Sequence, residues 1–205
     1  MRQLQKDPLN LINVGVAGQG NVVISLLICS GLVREGYQVT FGQVYPSQQR
    51  GGTVINYIRI SQEMLYSPLM PRRSADLILG MEPVETLRMI HRYGNENTLC
   101  VVNPRPIYSI DIAGGALGDY PDLEKLLSAI DSLTAKTWRV NATEEAKSLG
   151  NPIYASVILA GALIGIGALP LDEEVLKPAL EKRFPQQFEA NLSAFKRGIE
   201  LVTAS

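Results

Sequence analysis

A glycine-rich stretch near the start of the chain has the composition of an anion-binding turn. Residues 13–20 read Asn-Val-Gly-Val-Ala-Gly-Gln-Gly, between an apolar run and a helical pattern over residues 22–34. Glycine allows positive φ and close approach of a ligand, and the unpaired N–H groups at a helix start attract anions. The candidate residues for a phosphate-type ligand are therefore Gly18, Gln19, Gly20 and Asn21. A tight strand-to-helix turn without a ligand explains the same pattern.

The spacing of these glycines narrows the class of ligand. They stand at positions 15, 18 and 20, whereas the dinucleotide fingerprint is G-x-G-x-x-G with an acid about 20 residues further on. Residues 39–43, where that acid would lie, read Val-Thr-Phe-Gly-Gln, and no Gly-Lys-Ser/Thr sequence is present. The pattern argues against a nicotinamide dinucleotide, and more strongly against hydrolysis of a nucleoside triphosphate.

A second candidate segment is the loop over residues 45–52, which ends in Arg50, Gly51 and Gly52. It should leave the carboxyl end of the second strand, at the same sheet edge as the glycine turn. Ligands of open α/β sheets bind at that edge. A guanidinium beside accessible backbone amides suits an anion. An exposed arginine in a solvated turn is the alternative interpretation.

The composition describes an ordinary globular protein. The chain has 205 residues, of which 46% are hydrophobic and 19% charged, and this predicts a single domain over residues 1–205. The net charge of -1 argues against nucleic acid as the main partner.

The two cysteines, Cys29 and Cys100, lie in apolar contexts, which indicates buried thiols in a reducing compartment. Two thiols are too few for an iron–sulfur cluster. The polar N-terminus carries no apolar signal region and predicts a cytoplasmic protein.

One apolar segment, residues 153–169, contains no charged residue. A membrane span needs about 20 such residues, and this segment is shorter, so we expect a buried helix and no membrane contact. Its small residues, which include Gly161 and Gly165, would let a second backbone approach closely. That backbone could belong to another subunit or to the same domain, and the sequence leaves both open.

Hydrophobic periodicity predicts an α/β fold: a mostly parallel open sheet flanked by helices, with a helical C-terminal region. The predicted strands and helices are listed in chain order. Strands are expected at residues 11–16, 37–44, 53–61, 75–81, 98–103 and 136–141; helices are expected at 21–35, 82–93, 121–133, 142–149, 153–169, 171–183 and from 185 onward. The first strand, helix and second strand form a predicted βαβ unit with a right-handed crossover.

Catalytic side chains are scarce in this sequence. His91 is the single histidine, and we expect it at a surface or helix end. No Ser-His-Asp or Cys-His set can be assembled, and no group of acids has metal-ligand spacing. The candidate residues can bind and orient a ligand, so any demanding chemistry would reside on another chain or on a cofactor.

Several motifs, taken together, resemble one family. Residues 15–20, Gly-Val-Ala-Gly-Gln-Gly, resemble the G-x-G-G-Q-G opening of the gamma-type subunit or domain of 2-oxoacid:ferredoxin oxidoreductases. Arg50-Gly51-Gly52 follows as in that family, and residues 58–61 (Ile-Arg-Ile-Ser) and Ser67-Pro68 come next. Residues 75–88, Asn151-Pro152 and residues 191–195 look like the beta subunit in the indolepyruvate branch. Ala17 departs from the usual glycine, and residues 45–48 (Tyr-Pro-Ser-Gln) differ from the His-Gly-Met type of the arylpyruvate members.

The resemblance implies a function that the residues alone do not give. It implies larger partner subunits that carry thiamine diphosphate and iron–sulfur clusters, neither of which this chain would hold. The complex would decarboxylate a 2-oxoacid such as an arylpyruvate to an acyl-coenzyme A and pass electrons to ferredoxin. The gamma-type portion would help to bind coenzyme A and complete the active site; the isolated chain could form a homodimer.

Two other functions remain open from the sequence. One is a free-standing binding protein for a phosphorylated ligand. The other is a structural subunit whose glycine turn only fits a neighbouring backbone.

Overall fold

A computed structural model describes residues 2–45, 51–108 and 119–204. Six strands and seven α-helices lie within them. The strands are β1 (Leu9–Val16), β2 (Gln38–Val44), β3 (Thr53–Ser61), β4 (Leu77–Gly80), β5 (Leu99–Val102) and β6 (Lys136–Arg139). The helices are α1 (Asn21–Arg34), α2 (Pro83–Tyr93), α3 (Leu123–Ser132), α4 (Ala142–Ser148), α5 (Ala155–Gly165), α6 (Glu173–Arg183) and α7 (Phe188–Thr203). Short 3-10 turns at Pro152–Tyr154 and Pro185–Gln187 precede α5 and α7.

All six strands form one open sheet in the order β2-β3-β1-β4-β5-β6. β1, β4, β5 and β6 pair in parallel, and only β3 is reversed, antiparallel to both of its neighbours. The predicted mostly parallel sheet, its flanking helices and the helical C-terminal region are confirmed. β1 and β2 run in the same direction, as a βαβ unit requires, but β3 lies between them.

The two faces of the sheet bury separate hydrophobic clusters. Alternate residues of β1 divide between them because neighbouring side chains in a strand point to opposite faces. Leu11 belongs to the cluster formed with α1, α4, α5, α6 and α7. Ile12 belongs to the cluster formed with α2 and α3. All eight residues of β1 are buried, as expected for a central strand covered on both faces.

The apolar segment packs inside this chain, against α7. A Cβ at Gly161 would lie 1.9 Å from the carbonyl oxygen of Phe195, and one at Gly198 would lie 1.9 Å from that of Ile158. Glycine at both positions therefore permits the close approach of α5 and α7. Of the two partners that the sequence left open, the structure provides the backbone of the same chain.

The predicted helix over residues 153–169 is too long. Residues 152–154 form a 3-10 turn, and Ile153 is 68% exposed. α5 ends at Gly165, and Gly167 has a φ of 71°, a left-handed conformation that terminates a helix. The prediction was too long because it followed the apolar composition up to residue 169, whereas the left-handed conformation of Gly167 ends the helix earlier. No helix in the described parts of the chain is long and apolar enough to cross a membrane.

Candidate functional site

The glycine turn joins the carboxyl end of β1 to the first turn of α1. Gly18 and Gly20 have φ values of 101° and 84°, in the left-handed region that favours glycine. A Cβ at Gly18 would meet no described residue within 4 Å, so the described parts of the chain leave the space over this residue open. A Cβ at Gly20 would lie 2.9 Å from Oγ of Ser156, at the start of α5. Gly20 therefore allows the N-termini of α1 and α5 to lie close together.

Gln19 closes the turn with its side chain. Its Oε1 accepts a hydrogen bond from the backbone N–H of Val16 at 2.7 Å, and its Nε2 donates to the carbonyl of Met81 at 2.8 Å. Both ends of the amide are thus engaged by the protein backbone. Asn21 is buried, and its carbonyl accepts a hydrogen bond from the side chain of Asn13. These contacts shape the turn; a ligand-binding role for either side chain stays a prediction.

The second candidate segment reaches the same turn. The backbone N–H of Ala17 donates to the carbonyl of Gly52 at 2.9 Å, because β3 begins opposite the end of β1. Gly51 has a φ of 75°, which permits the bend into β3. The structure therefore brings Gly52 to the glycine turn, as the sequence predicted for this loop. Arg50 lies outside the described residues.

A cavity of about 400 Å³ opens above the turn at the carboxyl edge of the sheet. Gly18, Gln19 and Gly20 line it on one side. The first residues of α5 line the other side, so two helix N-termini border the same space. The positive ends of two helix dipoles favour an anion there.

Two arginines add to this positive charge. Arg105, in the loop after β5, and Arg183, at the end of α6, both line the cavity, and no described lining residue is acidic. Val23, Ile153 and Phe184 provide apolar surface beside them. The cavity can thus hold a ligand that combines anionic groups with an apolar portion.

Sequence reasoning missed both arginines. They are far from the glycine turn in the sequence and occur in no motif that pointed to a ligand. The one available signal for Arg105 is its position just after a predicted strand, since loops at that sheet edge carry the ligand-binding residues. Arg183 gave no such signal, because only the packing of α6 places it at the cavity.

A buried carboxyl group fixes the loop that carries Arg105. Glu82 is 1% exposed and caps α2 by accepting a hydrogen bond from the N–H of Glu85 at 2.9 Å. It also accepts hydrogen bonds from the hydroxyl of Tyr120 and from the backbone of Ile107. Burial raises the pKa of Glu82, and these hydrogen bonds only partly offset that effect.

A row of buried amide side chains lies under the first turn of α1. Asn13, Asn56 and Gln43 are register partners across β1, β3 and β2. Nδ2 of Asn13 donates to the carbonyl of Asn21 and, at 3.0 Å, to Oγ of Ser25. Neither polar atom of the Asn56 side chain has a hydrogen-bond partner among the described residues. Asn13 thus ties β1 to the helix whose N-terminus faces the cavity.

The described residues contain no group of three or more potential metal ligands among His, Cys, Asp and Glu. Cys100 is buried and Cys29 half-buried, and burial raises the pKa of Cys29 to about 12, so this thiol is not a reactive thiolate at neutral pH. His91 is exposed in the last turn of α2, as predicted. The described lining of the cavity therefore offers binding and orientation, and it contains neither a cysteine nor a histidine.

Comparison with known proteins shows the family. The model for the pyruvate ferredoxin/flavodoxin oxidoreductase family matches residues 10–201. The chain belongs to this family. Indolepyruvate oxidoreductase subunit IorB of Archaeoglobus fulgidus is 31% identical over 191 residues, which is 93% of each chain. The same subunit of Thermococcus kodakarensis is 33% identical over 193 residues, covering 93% of this chain and 94% of that relative.

Solved structures share the fold of this family member. The gamma subunit of a keto/oxoacid ferredoxin oxidoreductase from Geobacter sulfurreducens matches with a TM-score of 0.68 at 20% identity, over 96% of this chain and 99% of that one. A 2-oxoglutarate:ferredoxin oxidoreductase from Magnetococcus marinus, solved with 2-oxoglutarate, coenzyme A and succinyl-CoA bound, gives a TM-score of 0.77 at 20% identity over 98% of this chain. The present chain spans 32% of that longer polypeptide. The resemblance to gamma-type subunits and the expectation of an oxidoreductase subunit are confirmed.

The family motifs that sequence reasoning could not place converge on the cavity. Met81 follows β4, Pro152 begins the 3-10 turn before α5, and Asn191 lies in the first turn of α7. All three residues line the cavity together with the glycine turn. Motifs that are distant in the sequence of this oxidoreductase subunit thus surround one space.

Proposed function

We propose that this chain is the gamma-type subunit of a 2-oxoacid:ferredoxin oxidoreductase complex and that its cavity binds the phosphate-bearing end of coenzyme A. One observation carries the proposal. Two helix N-termini, Arg105 and Arg183 face a cavity of about 400 Å³ with no described acidic lining residue. Coenzyme A joins anionic phosphates to an apolar arm, which matches this combination of charge and apolar surface.

The other groups of the reaction would reside on partner chains. Thiamine diphosphate and iron–sulfur clusters would be held by larger subunits, and electrons would pass to ferredoxin through them. This chain would complete the active site by holding coenzyme A at Gly18, Gly20 and the loop of Arg50, Gly51 and Gly52. We further propose a single gamma-type domain over residues 1–205 and a cytoplasmic location.

The 2-oxoacid is proposed to be an arylpyruvate. The support is the naming of the relatives: indolepyruvate oxidoreductase subunits from two archaea are 31% and 33% identical to this chain. A panel of 2-oxoacids with the purified complex tests this. The highest kcat/KM should fall on an arylpyruvate, and a preference for a small aliphatic oxoacid would contradict the assignment.

The test of coenzyme A binding uses the complex purified with its partner subunits. Arg105→Ala and Arg183→Ala should each raise the KM for coenzyme A about tenfold or more, because a charge-assisted contact contributes about 1.5–3 kcal/mol. The KM for the 2-oxoacid should change little. Arg34→Ala is the matched control, since Arg34 is an exposed arginine in the last turn of α1, away from the cavity.

Three further results would each favour a different interpretation of the chain. Equal increases of both KM values in the cavity variants would show that they disturb the active site without contacting coenzyme A. A chain that purifies alone from its native cells, yet binds coenzyme A by calorimetry, would favour the free-standing binding protein. Loss of assembly on Gly18 substitution, with unchanged coenzyme A affinity in the residual complex, would favour the structural subunit.

A further inference from the structure

A second positively charged region lies on α2 and the loop before β4. Four arginines and the single histidine of the chain, Arg72, Arg73, Arg88, His91 and Arg92, line a groove of about 710 Å³ whose remaining lining residue is Met89. We name this region the arginine groove. It is notable in a chain whose net charge is -1.

Two of the four arginines in the groove form an ion pair with a described residue, and two do not. Arg88 pairs with the buried carboxylate of Glu85 at 2.7 Å. Arg73 lies 3.6 Å from Glu96, and the two side chains are 74% and 77% exposed, so solvent screens this pair strongly. Arg72 and Arg92 are exposed and form no ion pair in the described parts of the chain.

The groove has features that act against the stability of the free chain. Arg88 and Arg92 are four residues apart on α2, where like charges repel each other. Arg73 has a φ of 57° and is the one non-glycine residue in the described chain with positive φ. Such backbone strain occurs preferentially at functional sites.

The helix dipole explains the presence of only some of the positively charged residues in the arginine groove. Cations in the last turn of a helix are favourable, and this applies to Arg92. It does not apply to Arg72 and Arg73, which come from a different segment. The backbone N–H of Arg73 donates to the carbonyl of Arg92, so the loop is held against the end of α2 and its charges add to those of the helix.

The groove is remote from the coenzyme A cavity. It lies beside the end of α2 and the approach to β4, at the amino edge of the parallel strands, on the face covered by α2 and α3. The cavity lies at the carboxyl edge, on the face covered by α1 and α5. One ligand cannot occupy both regions.

We propose that the arginine groove docks a carboxylate-rich surface of another protein. Guanidinium groups bind carboxylates through paired hydrogen bonds, and arginine is enriched in protein–protein interfaces. Nucleic acid fits less well, since the positive charge is confined to one short groove on a chain of net charge -1. This interaction lies beyond coenzyme A binding and does not depend on it.

The test measures binding of a fluorescein-labelled polyglutamate peptide to the full chain by fluorescence anisotropy. The wild type should bind saturably, and binding should weaken as the salt concentration rises. The double variant Arg72→Gln/Arg92→Gln should lose about tenfold or more in affinity, because two unpaired guanidinium groups are removed. The double variant Arg34→Gln/Lys125→Gln removes the same charge from two exposed positions outside the groove and should stay within about twofold of the wild type.

Three results would overturn the proposal. One is the absence of saturable binding by the wild type. Another is an equal loss of affinity in both double variants, because net charge alone would then explain it. The third is tighter wild-type binding to a duplex DNA probe of matched charge than to polyglutamate, which would assign the groove to nucleic acid. Circular dichroism confirms that each variant is folded before binding is compared.

Discussion

The cavity above the glycine turn and the arginine groove are both concave and positively charged, but they are built in different ways. The cavity takes much of its positive potential from the backbone, at the N-termini of α1 and α5 and in the turn of Gly18 and Gly20. The groove takes its potential from exposed side chains around the C-terminal end of α2.

This difference predicts how each region depends on the rest of the fold. Backbone N–H groups are fixed by the packing of their helices, so the cavity should change whenever α1 or α5 moves. Exposed arginine side chains are long and can adjust their conformation, so the groove should tolerate distant changes in the core. Backbone groups held by packed helices suit the phosphates of one ligand, and adjustable side chains suit a protein surface.

Helix α2 connects the two regions. Its N-terminus is capped by Glu82, whose carboxyl group also holds the loop that leads from Arg105. Its last turn carries His91 and Arg92 in the groove. The two ends of one helix therefore serve the two regions, with the carboxyl group of Glu82 at the positive end of the dipole and the guanidinium of Arg92 at the negative end.

The largest effect is expected from Gly161→Ala in α5. The new Cβ would lie 1.9 Å from the carbonyl oxygen of Phe195, so α5 must shift relative to α7. The free energy of unfolding should fall by about 2–3 kcal/mol, and coenzyme A affinity should fall with it because the N-terminus of α5 borders the cavity. Urea unfolding and calorimetry measure these two quantities.

Gly150→Ala is the control for that change. Gly150 has a φ of 93°, and a Cβ there meets no described residue within 4 Å, so the cost is backbone strain of about 1–2 kcal/mol without displacement of a helix. Coenzyme A affinity should be unchanged in this variant. Polyglutamate binding should be unchanged in both variants, and a loss in Gly161→Ala would contradict the independence of the groove.

An effect of intermediate size is expected from Glu82→Gln, which should change how the free energy of unfolding depends on pH. Burial raises the pKa of Glu82 above its ordinary value of 4.5, so the folded state holds this proton more tightly than the unfolded chain. The resulting stabilisation is complete below pH 4.5 and is lost as the pH rises through the raised pKa. The wild type should lose stability relative to Glu82→Gln over this interval, with a slope of at most about 1.4 kcal/mol per pH unit.

Urea unfolding of both proteins across this pH interval checks the prediction. Glu189→Gln serves as control, because Glu189 is exposed in the first turn of α7. Parallel stability curves for the wild type and Glu82→Gln would show that the carboxyl group stays ionised in the folded protein.

The smallest effect is expected from Arg92→Gln. The change relieves the repulsion with Arg88 but removes a favourable dipole interaction and the contact of the guanidinium with the ring of Tyr93, 5.1 Å from its centroid. Stability should therefore stay within about 0.5 kcal/mol, while polyglutamate affinity falls about threefold. A stability loss above about 1 kcal/mol would assign Arg92 a structural role in place of a docking role.

The sequence by itself determined most of the secondary structure and the position of the glycine turn. β3 has the predicted bounds, Gly36 terminates α1 with a φ of 92°, and Pro83 stands in the first turn of α2 as expected. These features are local: they depend on hydrophobic periodicity, on the conformational freedom of glycine and on the fixed φ of proline.

Tertiary structure alone decided three other features. It placed β3 between β1 and β2, it buried α5 against α7, and it brought Arg105 and Arg183 to the cavity. It also assembled the arginine groove from two segments that the sequence separates. Each of these depends on contacts between distant residues, and a one-dimensional pattern carries no record of which distant residues meet.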